Sequence, residues 1–428
     1  MAREYGKTEL LEKILQCNRC GTCQDVCPTY MITGNENDVA RSRLRLIRLV
    51  AEGKYAWGEE AELSASIRSC LLCKACVSNC PSNVPTDEIM MHARNEINKA
   101  SGMPLFNRLV YRGVFSHSDR LSVLAKLLRM YQRSFASSLV RKSGFLNLLK
   151  NYGKAEALLP PIPARSLKAR LPELLPNGLD PKHRIVYFGG CAINAFYGRF
   201  GMATIEVLRH NQCHVDVPPV VCCGGPHLSG GDFAEARRLA RINIDTILAL
   251  EPDAIVTDCA TCSGIMKEYG KLFEDDPAYL EKSKIFAGKI KDINEFLGSI
   301  DLRPAEHGVQ GTATIHNPCH LREPHLAKPP RQLLRQIPDL TFVEMNDADM
   351  CCGGAGSYGA LHPDTSRTIL EKKMRGFAAS EADYLVTSCP ACAMQLEFGL
   401  RRHNLKGIVV HPVELLAKAY NFKRSAEK

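Results

Sequence analysis

Nineteen cysteines in 428 residues constrain this chain more than any other feature, and their spacing matters more than their number. Eight of them fall into two copies of one pattern, C-x2-C-x2-C-x3-C-P: Cys17, Cys20, Cys23, Cys27 with Pro28, and Cys70, Cys73, Cys76, Cys80 with Pro81. Three cysteines at this spacing wrap one face of an iron–sulfur cubane, and the fourth ligand comes from the other motif of the pair. By that rule Cys17, Cys20, Cys23 and Cys80 hold one [4Fe-4S] cluster, and Cys70, Cys73, Cys76 and Cys27 hold the other. Zinc also uses C-x2-C pairs. It gives no reason for a third cysteine in register followed by Cys-Pro, twice over.

The N-terminal sequence MAREYGKTELLEKILQ mixes charges through every turn and lacks the apolar core of a secretory signal. No apolar run approaches the roughly 18–20 residues that span a bilayer. The expected location is therefore cytoplasmic, where disulfides are rare and clustered cysteines read as metal or redox chemistry. The length suits two to four domains.

The formal charge of +9 is unevenly placed. Between Ser101 and Arg170 thirteen Lys/Arg face only Asp119 and Glu156. Each loaded cluster carries about −2 with its four thiolates, so the loaded protein is only mildly basic and no nucleic-acid partner is expected. In the basic segment Leu121, Leu124, Leu127, Leu128, Tyr131, Phe135 and Leu139 fall near one helix face. That pattern predicts a packed helix with a solvated basic side. Docking to a partner subunit, or to the inner face of a membrane, is its second use. The segment closes in Leu159-Pro160-Pro161-Ile162-Pro163, a stiff linker.

The remaining cysteines reveal an internal repeat. Cys191, Cys222-Cys223 and Cys259-x2-Cys262 recur as Cys319, Cys351-Cys352 and Cys389-x2-Cys392, at offsets of 128, 129 and 130 residues. Strand-like runs precede the cysteines (184–188, 254–257, 313–316, 384–387), and long helical patterns lie between them (232–250, 363–379). Alternation of this kind predicts α/β units with parallel strands, with ligands beyond the strands' carboxyl ends. The whole chain is thus expected to be α+β and multidomain. An α-helical ferredoxin domain occupies 1–100, a basic helical linker 101–180, and two tandem α/β domains 181–300 and 301–428. The 42 residues between Cys27 and Cys70, with a helical pattern over 40–50, favour the helical ferredoxin type.

Five thiolates per repeat exceed what one cubane requires, and adjacent cysteines suit a larger, irregular cluster better than one small ion. The pattern C-x30-CC-x35-C-x2-C, and C-x31-CC-x36-C-x2-C in the second copy, each with Gly-Gly after the pair, resembles the CCG cysteine-rich domain. That domain occurs in the heterodisulfide reductase catalytic subunit and in iron–sulfur subunits of glycolate oxidase and FAD-linked D-lactate dehydrogenase. Cys27-Pro28-Thr29-Tyr30, the stretch 41–47 and Lys267-Glu268-Tyr269-Gly270 look like the glycolate oxidase subunit.

The resemblance implies an electron-transfer subunit of a 2-hydroxy-acid dehydrogenase, with D-lactate or glycolate oxidised on an FAD-bearing partner. It also implies one or two further [4Fe-4S] clusters of noncubane form. Cys191, Cys222, Cys223, Cys259 and Cys262 would hold one, and Cys319, Cys351, Cys352, Cys389 and Cys392 the other. Both C-x2-C pairs are complete, as in heterodisulfide reductase, so disulfide reduction at a repeat cluster is the alternative.

His227, near Cys223, and His320, beside Cys319, are the candidate proton donors; an imidazole that only hydrogen-bonds a loop is the leading reading of each. Cys213 stands outside all motifs and is expected to be a buried thiol. No P-loop is present, and Ser229-Gly230-Gly231 lacks dinucleotide-fingerprint spacing. FAD is therefore expected on a partner and not on this chain.

Overall fold

The computed structural model describes residues 3–143, 153–154, 156–174, 180–322 and 324–421, apart from the side chains of Phe106, Ala136, Arg141, Lys142 and Pro324. Of the basic linker, residues 144–152, 155 and 175–179 lie outside the described residues.

The N-terminal part is helical. Helices Lys7–Leu15, Ala40–Ala51, Ala61–Arg68 and Thr86–Ser101 enclose a core of Leu10, Ile14, Leu44, Ile47, Ile67, Ile89 and Met90. In Ala40–Ala51, Leu44, Ile47, Val50 and Ala51 recur at helical spacing and are buried, so the apolar stripe faces this core. Arg43 is buried on the same helix. Its Nε donates to Ser66 O at 2.9 Å and its Nη2 to Ser69 Oγ at 2.9 Å, which ties the two cysteine motifs' flanking helices together.

The linker helices are Leu105–Val110, Ser118–Arg133 and Phe135–Lys142, with a π-helical turn at Tyr111–Phe115. The single apolar face predicted for 121–139 is not formed. Ser134 takes an extended conformation and breaks the helix. Leu121 and Ala125 are buried against Ile162 and Ala195, whereas Leu124, Leu127, Phe135 and Leu139 are exposed.

Each repeat is a four-stranded parallel sheet. Strands β1 (His183–Tyr187), β2 (Cys213–Asp216), β3 (Ala254–Thr257) and β4 (Ile290–Asp292) are ordered β2-β1-β3-β4. Strands β5 (Gly311–Ile315), β6 (Leu340–Phe342), β7 (Tyr384–Val386) and β8 (Ile408–Val410) repeat the order as β6-β5-β7-β8. Ile185, Val186, Ile255 and Val256 are fully buried, as strands covered by helices on both faces require. The order places a switch point between β1 and β3, and likewise between β5 and β7, where a crevice opens beyond the strand ends.

Candidate metal centres

Both ferredoxin loops share one backbone. The residues two and four places after the first cysteine lie at positive φ: Arg19 at 60° and Gly21 at 91°, Leu72 at 55° and Lys74 at 59°. Such alternation turns successive N–H groups toward one concave side, a nest for an anion. Leu72 and Lys74 adopt it without glycine's freedom, at a cost of about 1 kcal/mol each. Cys27 caps the helix Pro28–Thr33, and Pro28 fills its first turn, which accounts for the Cys-Pro pairing.

Cys17, Cys20, Cys23 and Cys80 line one cavity. Cys70, Cys73, Cys76 and Cys27 line its neighbour, and Cys76 borders both. The first cavity thus collects three thiols of its own motif with Cys80 and the shared Cys76 of the other, and the second collects three of its own with Cys27. Burial pushes the Cys76 thiol up, and Cys70, Cys73 and Cys27 push it further, since thiolates sharing one pocket repel. Iron relieves that repulsion, and four soft sulfur donors per cavity fit a [4Fe-4S] core.

In the repeats the cysteines sit at strand ends. Cys191 follows β1, Cys222-Cys223 follow β2, and Cys259 caps the helix Ala260–Met266 after β3, with Cys262 one turn on. Cys191 and Cys222 Sγ atoms are 3.9 Å apart. The buried thiols act on one another: Cys222, beside Cys191 and Cys223, is held up, as is Cys262, beside Cys223 and Cys259. Cys223, between Cys222 and Cys262, is held down. The second set repeats this, with Cys351 and Cys392 up and Cys352 down. Gly353 turns the chain out of the pocket at φ 83°, where a Cβ would stand 2.7 Å from Ser366 O.

The sets are not isolated. Cys259 and Cys389 are neighbours across the two repeats, each acting on the other's thiol, and Thr261 Oγ1 lies 3.4 Å from Cys389 Sγ. Cys73 and Cys351 pack together in a small buried core with Leu71, Tyr358 and Ile369, each acting on the other's thiol. Thiols thus run from the ferredoxin cavities through the second repeat to the first.

His227 is fully buried, with Nε2 3.0 Å from Ser116 Oγ and 3.1 Å from Tyr111 O, so it fastens the linker to the first repeat. His320 packs against Gly264 of the first repeat, and burial lowers its imidazole to about 4. A further histidine escaped the sequence reading. His316 is fully buried, and a ring nitrogen lies within 4.8 Å of the Cys352 and Cys392 sulfurs. It closes the strand-like run 313–316 and carries no motif of its own, although aligning the copies would have set it opposite Phe188. Cys213 is buried and donates to Asn211 O, and burial pushes its thiol up to about 12. Among the described residues no helix is long and apolar enough to cross a membrane.

Comparison with known proteins follows the same division. The cysteine-rich domain model matches residues 185–267 and 313–397, and a 4Fe-4S dicluster domain matches 13–84. Residues 103–159 match the linker region of the glycolate oxidase iron–sulfur subunit. The probable glycolate oxidase iron–sulfur subunit of Bacillus subtilis is 34% identical over 425 residues, covering 96% of this chain and 95% of the relative. The glycolate oxidase iron–sulfur subunit of Escherichia coli is 27% identical and covers 92% of each chain. Lactate utilization protein A of a Geobacillus species is 30% identical over 237 residues, 54% of this chain and 98% of the relative.

Proposed function

This chain belongs to the family of glycolate oxidase iron–sulfur subunits, and from that premise we propose that it relays electrons taken from D-lactate or glycolate on an FAD-bearing partner subunit. It is an iron–sulfur oxidoreductase subunit with several [4Fe-4S] clusters. The partner converts the 2-hydroxy acid to the 2-oxo acid, releasing two electrons and two protons. A bound [4Fe-4S] cluster supplies one-electron chemistry, so the pair leaves the flavin in single steps.

The observation that carries this reading is the succession of thiols from domain to domain: Cys73 and Cys351 share one buried core, and Cys259 and Cys389 are neighbours across the two repeats. In it Cys17, Cys20, Cys23 and Cys80 hold one cluster, and Cys27, Cys70, Cys73 and Cys76 the next. The five cysteines of each repeat hold the others. The chain's own work is to fix sulfurs, to aim N–H groups at them, as Leu72 N does at 3.5 Å from Cys70 Sγ, and to exclude water. His227 is assigned to packing, and His320 stands at the junction of the repeats without a proton-transfer role in this relay. The exposed leucines and arginines of 105–139 suit docking of the partner at the cytoplasmic face of a membrane.

Co-purification tests this function. An associated FAD protein that turns over D-lactate or glycolate and reduces the clusters supports it. Reduction of a disulfide by the isolated chain, with no flavoprotein bound, would replace it with the heterodisulfide-reductase-like alternative.

A further inference from the structure

The two repeats match in their cysteines and differ in charge around them. Three positions beside the thiols are neutral in the first copy and basic in the second, at the repeat's own offsets: Phe188 against His316, Asn194 against Arg322, and Asn243 against Lys373. In the first copy the asparagines close loops. Asn243 accepts from Val221 N at 3.0 Å and donates to Cys222 O at 3.2 Å. Asn194 turns away, accepting from Lys168 N at 3.0 Å. Phe188 is apolar and fully buried.

In the second copy, Lys373 is 1% exposed. Its ammonium donates to Asp347 O at 2.6 Å and to Ala348 O at 2.9 Å, which solvates the charge without neutralising it. Cys351, Cys352 and Cys392 all feel that charge. Arg322 stands beside Cys319, Cys73 and Cys351, and its Nε and Nη2 have no hydrogen-bond partner among the described residues. His316 adds a ring nitrogen near Cys352 and Cys392. Burying cations costs several kcal/mol; Asp349 offsets part of the Lys373 charge, and Lys373 with the partly buried Arg322 at one thiol set still favours an anionic resident.

We infer that Arg322, Lys373 and His316 set the second repeat's cluster at a higher reduction potential than the first repeat's, making it the resting place for an electron between the ferredoxin domain and the first repeat. This rests on the cluster reading above. A cluster gains negative charge with each electron, so fixed cations and N–H groups aimed at its sulfurs stabilise the reduced form most. The first repeat, flanked by Phe188, Asn194 and Asn243, receives no such help. The step is a single-electron transfer from the ferredoxin clusters and needs no other reactant. These are positioning residues, not catalytic ones.

The test is an EPR-monitored redox titration of the cluster-loaded full chain, with iron and acid-labile sulfide measured in parallel. The native protein should show two repeat signals with separate midpoints. K373N and R322N should each lower the higher one at least tenfold in the reduction equilibrium, about 59 mV for one electron. K373N should leave the first repeat's midpoint where it was. N243K, which places a lysine in the first copy, should raise the lower midpoint, and it keeps the test open where K373N fails to fold. Full iron content with coincident repeat midpoints, or midpoints unmoved by both cation removals, overturns this inference alone. Repeats that carry no iron overturn the cluster reading, and the inference with it.

Discussion

Cys73 of the helical domain and Cys351 of the second repeat are buried in one small core at the junction of the two domains. They belong to different sequence motifs, and their contact gives the relay an order: ferredoxin cavities, second repeat, first repeat. C351A should therefore leave the ferredoxin EPR signals intact. It should also keep electrons from reaching the first repeat, whose five cysteines are untouched. Rapid-freeze EPR after reduction would read both. A first-repeat cluster still reduced at the native rate would mean another route.

The proposed exchange of ligands between the ferredoxin motifs makes a crossed prediction. Cys27→Ser should cost the cluster anchored by Cys70, Cys73 and Cys76, and Cys80→Ser the one anchored by Cys17, Cys20 and Cys23. Each should lose up to about four irons. Iron analysis with EPR of the remaining signal distinguishes the two variants. Loss of the cluster in the mutated cysteine's own motif would contradict the geometry.

Docking of the ferredoxin domain onto the first repeat depends on Arg94. Its guanidinium donates to Ile67 O, Arg68 O and Cys70 O, and across the junction to Ser229 O at 2.7 Å. Arg94→Ala leaves these carbonyls unpaired and should destabilise the junction by about 3 kcal/mol. Gly231 approaches the same helix at φ 77°, where a Cβ would lie 2.6 Å from the Arg94 backbone. Gly231→Ala should loosen the same contact, read as faster proteolysis between the domains.

Asp292 should make stability fall as pH rises. Burial pushes its carboxyl from its ordinary 3.8 up to about 7, and Oδ2 has no partner among the described residues. Between about pH 4 and pH 7 the native state holds a proton that the unfolded chain has released, so stability declines through that window. Above it the slope vanishes. Asp292→Asn should flatten this part of the thermal-unfolding profile, and an unchanged slope would refute the assignment.

Much of this was legible in sequence because a cluster ligand set must repeat at fixed spacing: the eight ferredoxin cysteines, the two five-cysteine sets and the strands before them are all local patterns. The junctions were not. Cys73–Cys351 and Cys259–Cys389 are set by how domains pack, and no spacing encodes them. His316, Lys373 and Arg322 carry no local signature either, since a lone basic residue gains meaning only when the two copies are aligned and its counterpart proves neutral. The linker was misread for a different reason. Its leucines have helical spacing, but Ser134 breaks the helix and leaves Leu124, Leu127 and Phe135 outside.

The most direct measurement mixes the anaerobic, partner-bound protein with D-lactate or glycolate, freezes it within milliseconds and counts electrons in the clusters by EPR. The relay predicts that cluster signals rise as the flavin is reoxidised, at a rate no slower than turnover, with electrons from each substrate molecule divided one by one among the sites. A flavin that stays reduced while every cluster of this chain remains oxidised would contradict it.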